Sequence, residues 1–160
     1  SPKSLLRHKL AVSDLQELAG GAFQTVIGEI DELLPDAQIR RVVLCSGKVY
    51  YDLLQKRRDE NRRDIAIIRV EQLYPFPQKA VAAELARYPN ADIVWCQEEP
   101  RNQGAWRQIY EALAPALPAG KALHYTGRVA SASTAAGYLK LHNAEQAALV
   151  RDALGLTENQ

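Results

Sequence analysis

The sequence predicts a three-layer α/β fold around a mostly parallel sheet. Short β-rich runs alternate with longer stretches of helical period along its 160 residues. Three of the runs are nearly continuous in apolar residues, as strands covered on both faces should be. Strand–helix–strand repetition then implies right-handed crossovers that put helices on both faces.

Residues 1–22 read as a linker from an upstream domain, and residues 23–160 as one α/β domain, which suits the length. Ser1 to Val12 carries no periodic pattern, and Ser13 suits the cap of a short helix through Leu18. Phe23 to Ile30 offers an extra edge strand. Arg41 to Cys45, Ile65 to Val70, Ala91 to Cys96 and Ala122 to Tyr125 are the main strands.

Val49, Tyr50, Leu53 and Leu54 mark one face of the first main helix. Val81, Leu85 and Tyr88 mark the second, with Pro77 suited to its first turn. Trp106, Ile109, Tyr110 and Leu113 follow the i, i+3, i+4, i+7 rule. The last helix is expected to begin at Asn143 with Gln146 in a capping-box variant. Leu149, Val150, Ala153 and Leu154 form its buried side, and Gly155 ends it.

Composition excludes several classes. Apolar residues are 47% and charged residues 24%, and the net charge is +1. That balance argues against coating nucleic acid or an anionic membrane. No apolar run approaches the roughly 20 residues needed to span a bilayer. Two cysteines, Cys45 and Cys96, make no disulfide framework and favour a reduced, cytosol-like compartment. Methionine is absent, and Ser1-Pro2 opens without a capped element. The expectation is an excised piece of a larger protein, the alternative being removal of an initiator Met.

In open α/β sheets, ligands bind outside the carboxyl ends of the strands. Those ends carry Ser46-Gly47-Lys48, Glu71-Gln72, Gln97 to Arg101 and Gly127-Arg128. Ser46-Gly47-Lys48 is either a tight turn with a solvated lysine or an anion site at a helix start. It is not a Walker loop, since Val42 and Val49 stand where Gly and Ser or Thr are required. The stretch from Trp95 to Trp106 gathers two acids, two amides, an arginine and two tryptophans where a strand gives way to a helix. Glu98 and Glu99 suggest a general acid and base, but sequence neighbours often point apart. The competing reading is a structural or interface role for Glu98, Glu99, Arg101 and Trp106.

His8, His124 and His142 lack metal-ligand spacing, and His124 reads as a packing residue. His142 is expected to precede the last helix and to cap or pack there. Cys45 and Cys96 read as buried, inert thiols, and Ser131 and Ser133 flank no nucleophile elbow. Lys56-Arg57-Arg58 with Arg62-Arg63 reads as a solvated helix end, where cations suit the helix dipole. In Leu73-Tyr74-Pro75-Phe76-Pro77, two prolines fix the backbone and present two rings together. Either core packing or a surface that meets another domain or subunit fits Tyr74 and Phe76.

Several motifs, in this order, carry a resemblance: Pro2 to His8, Val42 to Tyr51, Glu71 to Pro77, Trp95 to Trp106, Gly127-Arg128, Ser131-Ala132-Ser133 and Gly137-Tyr138. Across essentially the whole chain the sequence resembles the C-terminal end of the decarboxylating component of 2-oxoglutarate dehydrogenases. Thr134 departs from the pattern, which has proline after Ala132-Ser133. The resemblance implies a transketolase-type C-terminal domain with a five-stranded sheet and one antiparallel edge strand. It implies a parent enzyme of the citric acid cycle that uses thiamine diphosphate and magnesium. That parent would be a homodimer, passing a succinyl group to a lipoyl group on dihydrolipoyl succinyltransferase. Its compartment would be the bacterial cytoplasm or the mitochondrial matrix.

No catalytic, cofactor or metal residue is assigned to this piece, because the family's diphosphate–magnesium motif belongs to preceding domains. Some relatives bind an acyl-CoA effector on this domain, which by resemblance nominates Ser46, Lys48 and Arg69. The leading expectation is therefore a non-catalytic, dimer-organising domain. The alternatives are a regulatory module for acyl-CoA or AMP, and a small hydrolase using Glu98 or Glu99.

Overall fold

A computed structural model describes residues 5, 6, 8–12, 21–132 and 139–156. Its sheet has five strands: β1 (Val26–Ile27), β2 (Arg41–Cys45), β3 (Ile65–Val70), β4 (Asp92–Pro100) and β5 (Leu123–Arg128). The spatial order is β1-β3-β2-β4-β5. Among the described residues only the β1–β3 pair is antiparallel; β2 lies parallel between β3 and β4, and β5 runs parallel beside β4. Helices α1 (Val49–Asp59), α2 (Gln78–Ala86), α3 (Trp106–Leu113) and α4 (Leu139–Ala153) pack around it. This is the three-layer, mostly parallel arrangement that the alternating pattern predicts.

Pleating divides the core into two clusters, since successive side chains leave a strand on opposite faces. Val42, Leu44, Ile68 and Trp95 pack towards α2 and α3 with Val81, Leu85, Ile109 and Leu113. Val43, Cys45, Ile67 and Cys96 pack towards α1 and α4 with Leu53, Leu54, Leu149 and Val150. β2 is the central strand, and its Val42 to Cys45 are fully buried. Such burial on both faces explains the absence of polar alternation there.

Four boundaries differ from the sequence expectation. The edge strand is two residues long rather than eight. After it, the Glu29 carboxylate accepts the Ile67 N–H at 2.8 Å, so a side chain replaces further pairing along β3. β4 continues to Pro100, past Cys96, with a register irregularity between Cys96 and Pro100. Glu98 and Glu99 therefore belong to an irregular strand end, and the turn proper is confined to residues 101–105. β5 likewise continues to Arg128.

The last helix begins at Leu139, not Asn143. Asn143 is an interior residue, because a capping-type residue with a solvated side chain costs a helix little. The C-terminus of this helix follows the expectation. Gly155 has φ +62°, and Leu156 N–H donates to Arg151 O at 2.9 Å while Gly155 N–H donates to Asp152 O at 3.0 Å. That is the paired Schellman arrangement, in which a left-handed glycine lets two N–H groups fold back on orphan carbonyls. The expected Ser13–Leu18 helix lies outside the described residues, as do Ser133 and Thr134.

Arg57 overturns the solvated-helix-end reading. Its side chain is 1% exposed and pairs with Glu29, 5% exposed, and with Asp31. Its guanidinium also donates to Ile65 O at 2.9 Å. The basic run ends α1 as expected, but helical twist turns its middle member inward, where acids from the β1–β2 connection meet it.

Candidate functional site at the carboxyl rim

The carboxyl ends of β2, β4 and β5 meet the start of α1 and the face of α4. Gly47, with φ +73°, turns the chain from β2 into α1, a conformation that an L side chain rarely adopts. Lys48 Nζ then lies 2.7 Å from Asp52 Oδ2 and 3.4 Å from Glu98 Oε1. Burial alone would lower the Lys48 pKa; hydrogen bonding and charge from Asp52 and Glu98 outweigh it and hold the ammonium above its usual value. The lysine is thus an internal tie and not a solvated cation.

Gln146 of α4 shares the same carboxylates, donating to Asp52 Oδ2 at 2.9 Å and Glu98 Oε1 at 2.8 Å. Its Oε1 accepts from Arg128 Nη2 at 3.3 Å, and that nitrogen also lies 2.9 Å from His142 Nδ1. Glu145 completes the set, 3.6 Å from Arg128 Nε. Gln146 therefore does not cap a helix; it joins α1, β4, β5 and α4 in one polar network. His142 is a helix-interior residue facing Arg128, and His124 is exposed on β5. His142 therefore does not precede the helix, although it packs on Arg128, and His124 lacks the packing role that its sequence context suggests. Asp52 carries no local motif, Arg128 is legible only as part of the strand-end rim, and Gln146 only as a helix cap. Their separations, 94 residues for Gln146–Asp52, explain why sequence reading misses the network that joins them.

Arg69 lies near the end of β3 beside Cys45, its register partner. Its guanidinium lies 4.5 Å over the Tyr50 ring and 5.4 Å from that of Tyr51, and its Nε donates to Glu71 at 3.0 Å. Burial pushes the Tyr50 phenol up to about 12. The His8 ring lies 5.1 Å from Tyr51, and Leu10 packs against the α1–α4 core. Ser46 follows β2 and Lys48 opens α1, so the three effector candidates lie at the same strand ends, with Lys48 and Arg69 each already facing a carboxylate.

The Trp95–Trp106 stretch is organised by Gln97, which is 4% exposed. Its Oε1 accepts the Trp95 indole N–H at 3.1 Å. Its Nε2 donates to the carbonyls of Glu99 at 3.2 Å, Pro100 at 3.3 Å and Gln103 at 2.8 Å. Asn102 exchanges two hydrogen bonds with the Ser131 backbone. Gly104 closes the turn at φ +65°, where an added Cβ would come within 2.9 Å of Glu99 Cβ. Trp106 is 9% exposed and packs 4.8 Å from Tyr125 and 5.4 Å from Tyr110. The two acids separate: Glu98 turns into the Lys48–Gln146 network, whereas Glu99 is exposed. They do not converge on a common reacting atom, which paired acid–base work requires.

The proline-held rings also separate. Phe76 packs against the core, and Tyr74 is 82% exposed. Cys45 and Cys96 face each other in register on β2 and β4, both fully buried and both free. Burial pushes the Cys96 thiol up to about 12 and raises that of Cys45 well above its usual value. Among the described residues, no group of three or more His, Cys, Asp or Glu could hold a metal ion.

The layer order and single antiparallel edge define a transketolase-like α/β domain. A split-gene transketolase, solved as an inactive β4 tetramer, has a TM-score of 0.50 at 15% identity, covering 74% of this chain and 39% of that one. This likeness concerns the fold alone. Residues 12–154 match the family model described as 2-oxoglutarate dehydrogenase C-terminal. The chain belongs to that family. It is 60% identical over 155 residues to the 2-oxoglutarate dehydrogenase E1 component of Haemophilus influenzae, covering 96% of this chain. The E1 components of Cupriavidus necator and Azotobacter vinelandii are 54% and 52% identical over 154 and 157 residues, each again covering 96% of this chain. The chain spans 16% of the length of each of these three relatives.

Proposed function

We propose that this chain is the non-catalytic, dimer-organising C-terminal domain of a 2-oxoglutarate dehydrogenase E1 component. The observation that carries this reading is the rim network, in which Lys48 pairs with Asp52 and Glu98, and Gln146 ties both carboxylates to Arg128. Such a network stiffens a surface without offering a free acid, base or nucleophile. Tyr74, 82% exposed beside two prolines, has the chemistry of an interface anchor. Glu99, exposed at the end of β4, adds to the surface we assign to neighbouring domains or a second subunit.

In this proposal the whole enzyme decarboxylates 2-oxoglutarate and hands a succinyl group to dihydrolipoyl succinyltransferase in the bacterial cytoplasm. When bound, thiamine diphosphate would supply the electron sink that decarboxylation needs, and magnesium would offset the charge of its diphosphate. The described donors of this chain do not fit magnesium, so the cofactor is assigned to preceding domains, and this chain contributes no step through it. Residues 1–22 would connect to those domains.

The 160-residue chain should fold and yet release no carbon dioxide from 2-oxoglutarate with thiamine diphosphate and magnesium. Turnover by the pure chain would overturn the reading. In the full-length enzyme, Tyr74→Ser should raise the dimer dissociation constant about tenfold, as expected for an aromatic anchor, with turnover per remaining dimer unchanged.

A second reading rests on Arg69 stacked over Tyr50 beside Ser46 and Lys48 at the start of α1. That corner would take the phosphate of an acyl-CoA or AMP effector, which must compete with Glu71, Asp52 and Glu98. Titration with acetyl-CoA and AMP to millimolar concentration, without binding, would remove it.

A further inference from the structure

The sheet order leaves β5 at an edge. β4 is its ladder partner, and among the described residues no strand pairs with its other side. An edge strand turns alternate N–H and C=O groups outward, where another chain can pair with them. Natural edges are usually protected by shortness, proline, lysine or a covering side chain. The opposite edge has such protection: β1 is two residues long, and Glu29 accepts the Ile67 N–H of β3. β5 reads Leu-His-Tyr-Thr-Gly-Arg, six residues without proline or lysine.

Beside that edge lies a cleft of about 500 Å³, lined by Leu123, His124 and Tyr125 of β5, Trp106 and Tyr110 of α3, and Arg101. Three rings form one wall, with Trp106 4.8 Å from Tyr125 and 5.4 Å from Tyr110. Tyr110 is 53% exposed although it belongs to a helix whose other face is core. The Arg101 guanidinium lies 5.5 Å over the Tyr125 ring, at the rim. The lining contains an arginine and a histidine and no carboxylate.

An open strand edge next to an aromatic recess suits strand addition, in which main-chain bonds supply affinity and recesses read alternate side chains. The charge of the lining selects the partner. A second copy docking β5 against β5 would set two basic rims together, whereas an acidic segment would neutralise one. We propose that the β5 edge and its cleft form a strand-addition site for an extended, acidic segment of a partner polypeptide. Its main chain would extend the sheet beyond β5. One large apolar side chain would lie against the wall formed by Trp106, Tyr110 and Tyr125, and a neighbouring carboxylate would meet Arg101.

The test is an amide-resolved NMR titration of the 160-residue chain with the capped peptide Asp-Val-Phe-Val-Thr-Val, and with the same peptide bearing Lys in place of Asp. Shifts should concentrate on Leu123 to Arg128 and Arg101, and the acidic peptide should bind roughly tenfold tighter, the scale of a paired against a repelled charge. Arg101→Glu should reverse that preference, and Tyr110→Ala should weaken both peptides. Both positions are exposed, and the spectrum itself reports whether each variant is folded. No shift along β5 at millimolar peptide, or equal affinity for the two peptides, would overturn the proposal. So would a self-associated chain that sediments as a monomer after Tyr110→Lys, because a second copy would then occupy the edge.

Discussion

Arg57 and Glu29 form a two-pronged ion pair between α1 and the loop after β1, with side chains 1% and 5% exposed. The glutamate also accepts the Ile67 N–H, so one buried pair holds a helix, a loop and a strand edge together. Breaking a buried pair costs far more than the pair contributes against an apolar substitute, because one charge is left without its counter-ion. Arg57→Ala should destabilise the fold by about 3–5 kcal/mol in urea titration. Arg57→Lys should recover only part, since one ammonium cannot reproduce a planar fork shared by Glu29, Asp31 and Ile65 O.

Acid should loosen the same region. The hydrogen bond from Arg58 holds the Asp31 carboxyl below its usual 3.8; partial burial opposes this, and Arg57 reinforces it. A carboxyl whose pKa is depressed in the fold contributes stability that is complete above its unfolded value and is lost as pH falls through the folded one. The urea midpoint should therefore decline as pH drops below about 4, and Asp31→Asn should flatten that part of the profile.

Gln97→Leu should destabilise the chain by about 1–3 kcal/mol, the cost of leaving a buried indole N–H and nearby carbonyls without their partner. Trp95 reports the change directly, because its N–H donates to Gln97 Oε1. A thermal midpoint equal to that of the parent chain would show that water replaces the amide at no cost.

Two glycines separate steric from conformational cost. Gly104 and Gly120 both have positive φ, at +65° and +76°, but an added Cβ meets Glu99 Cβ at 2.9 Å in the first and nothing within 4 Å in the second. Gly120→Ala should cost about 1 kcal/mol, from backbone strain. Gly104→Ala should cost more, to about 3 kcal/mol, as measured by chemical denaturation.

Neither cysteine should react with a thiol reagent at pH 8 while the chain is folded. Both are fully buried, and burial pushes Cys96 up to about 12. Reactivity depends on an accessible thiolate. Labelling should appear only as urea unfolds the sheet, so its rate doubles as a measure of global opening.

Legibility follows range along the chain. β2 and β3 are readable at their observed bounds because continuous apolar runs are local signals of two-faced burial. The face of α3 is nearly as plain: Trp106, Ile109 and Leu113 are buried, but Tyr110, read onto the same face, stands 53% exposed. The end of β4 is not readable: Gln97 to Pro100 is polar because one amide satisfies the carbonyls of an irregular strand, and composition there resembles a loop. The α4 start escapes sequence reading because Asn143 has the same residue type in a cap as on a solvated helix face.

The sequence by itself determined the alternating architecture, the buried faces and, through its motifs, the resemblance to the 2-oxoglutarate dehydrogenase C-terminal family. Tertiary structure alone decided which polar groups are internal. It turned Arg57 inward onto Glu29, separated Glu98 from Glu99, and gave Gln146 to Asp52 across 94 residues. Hydrophobic periodicity is written within one element, whereas the partner of a charge depends on sheet order and on how helices lie across the sheet. Those relations exist only after distant segments have packed.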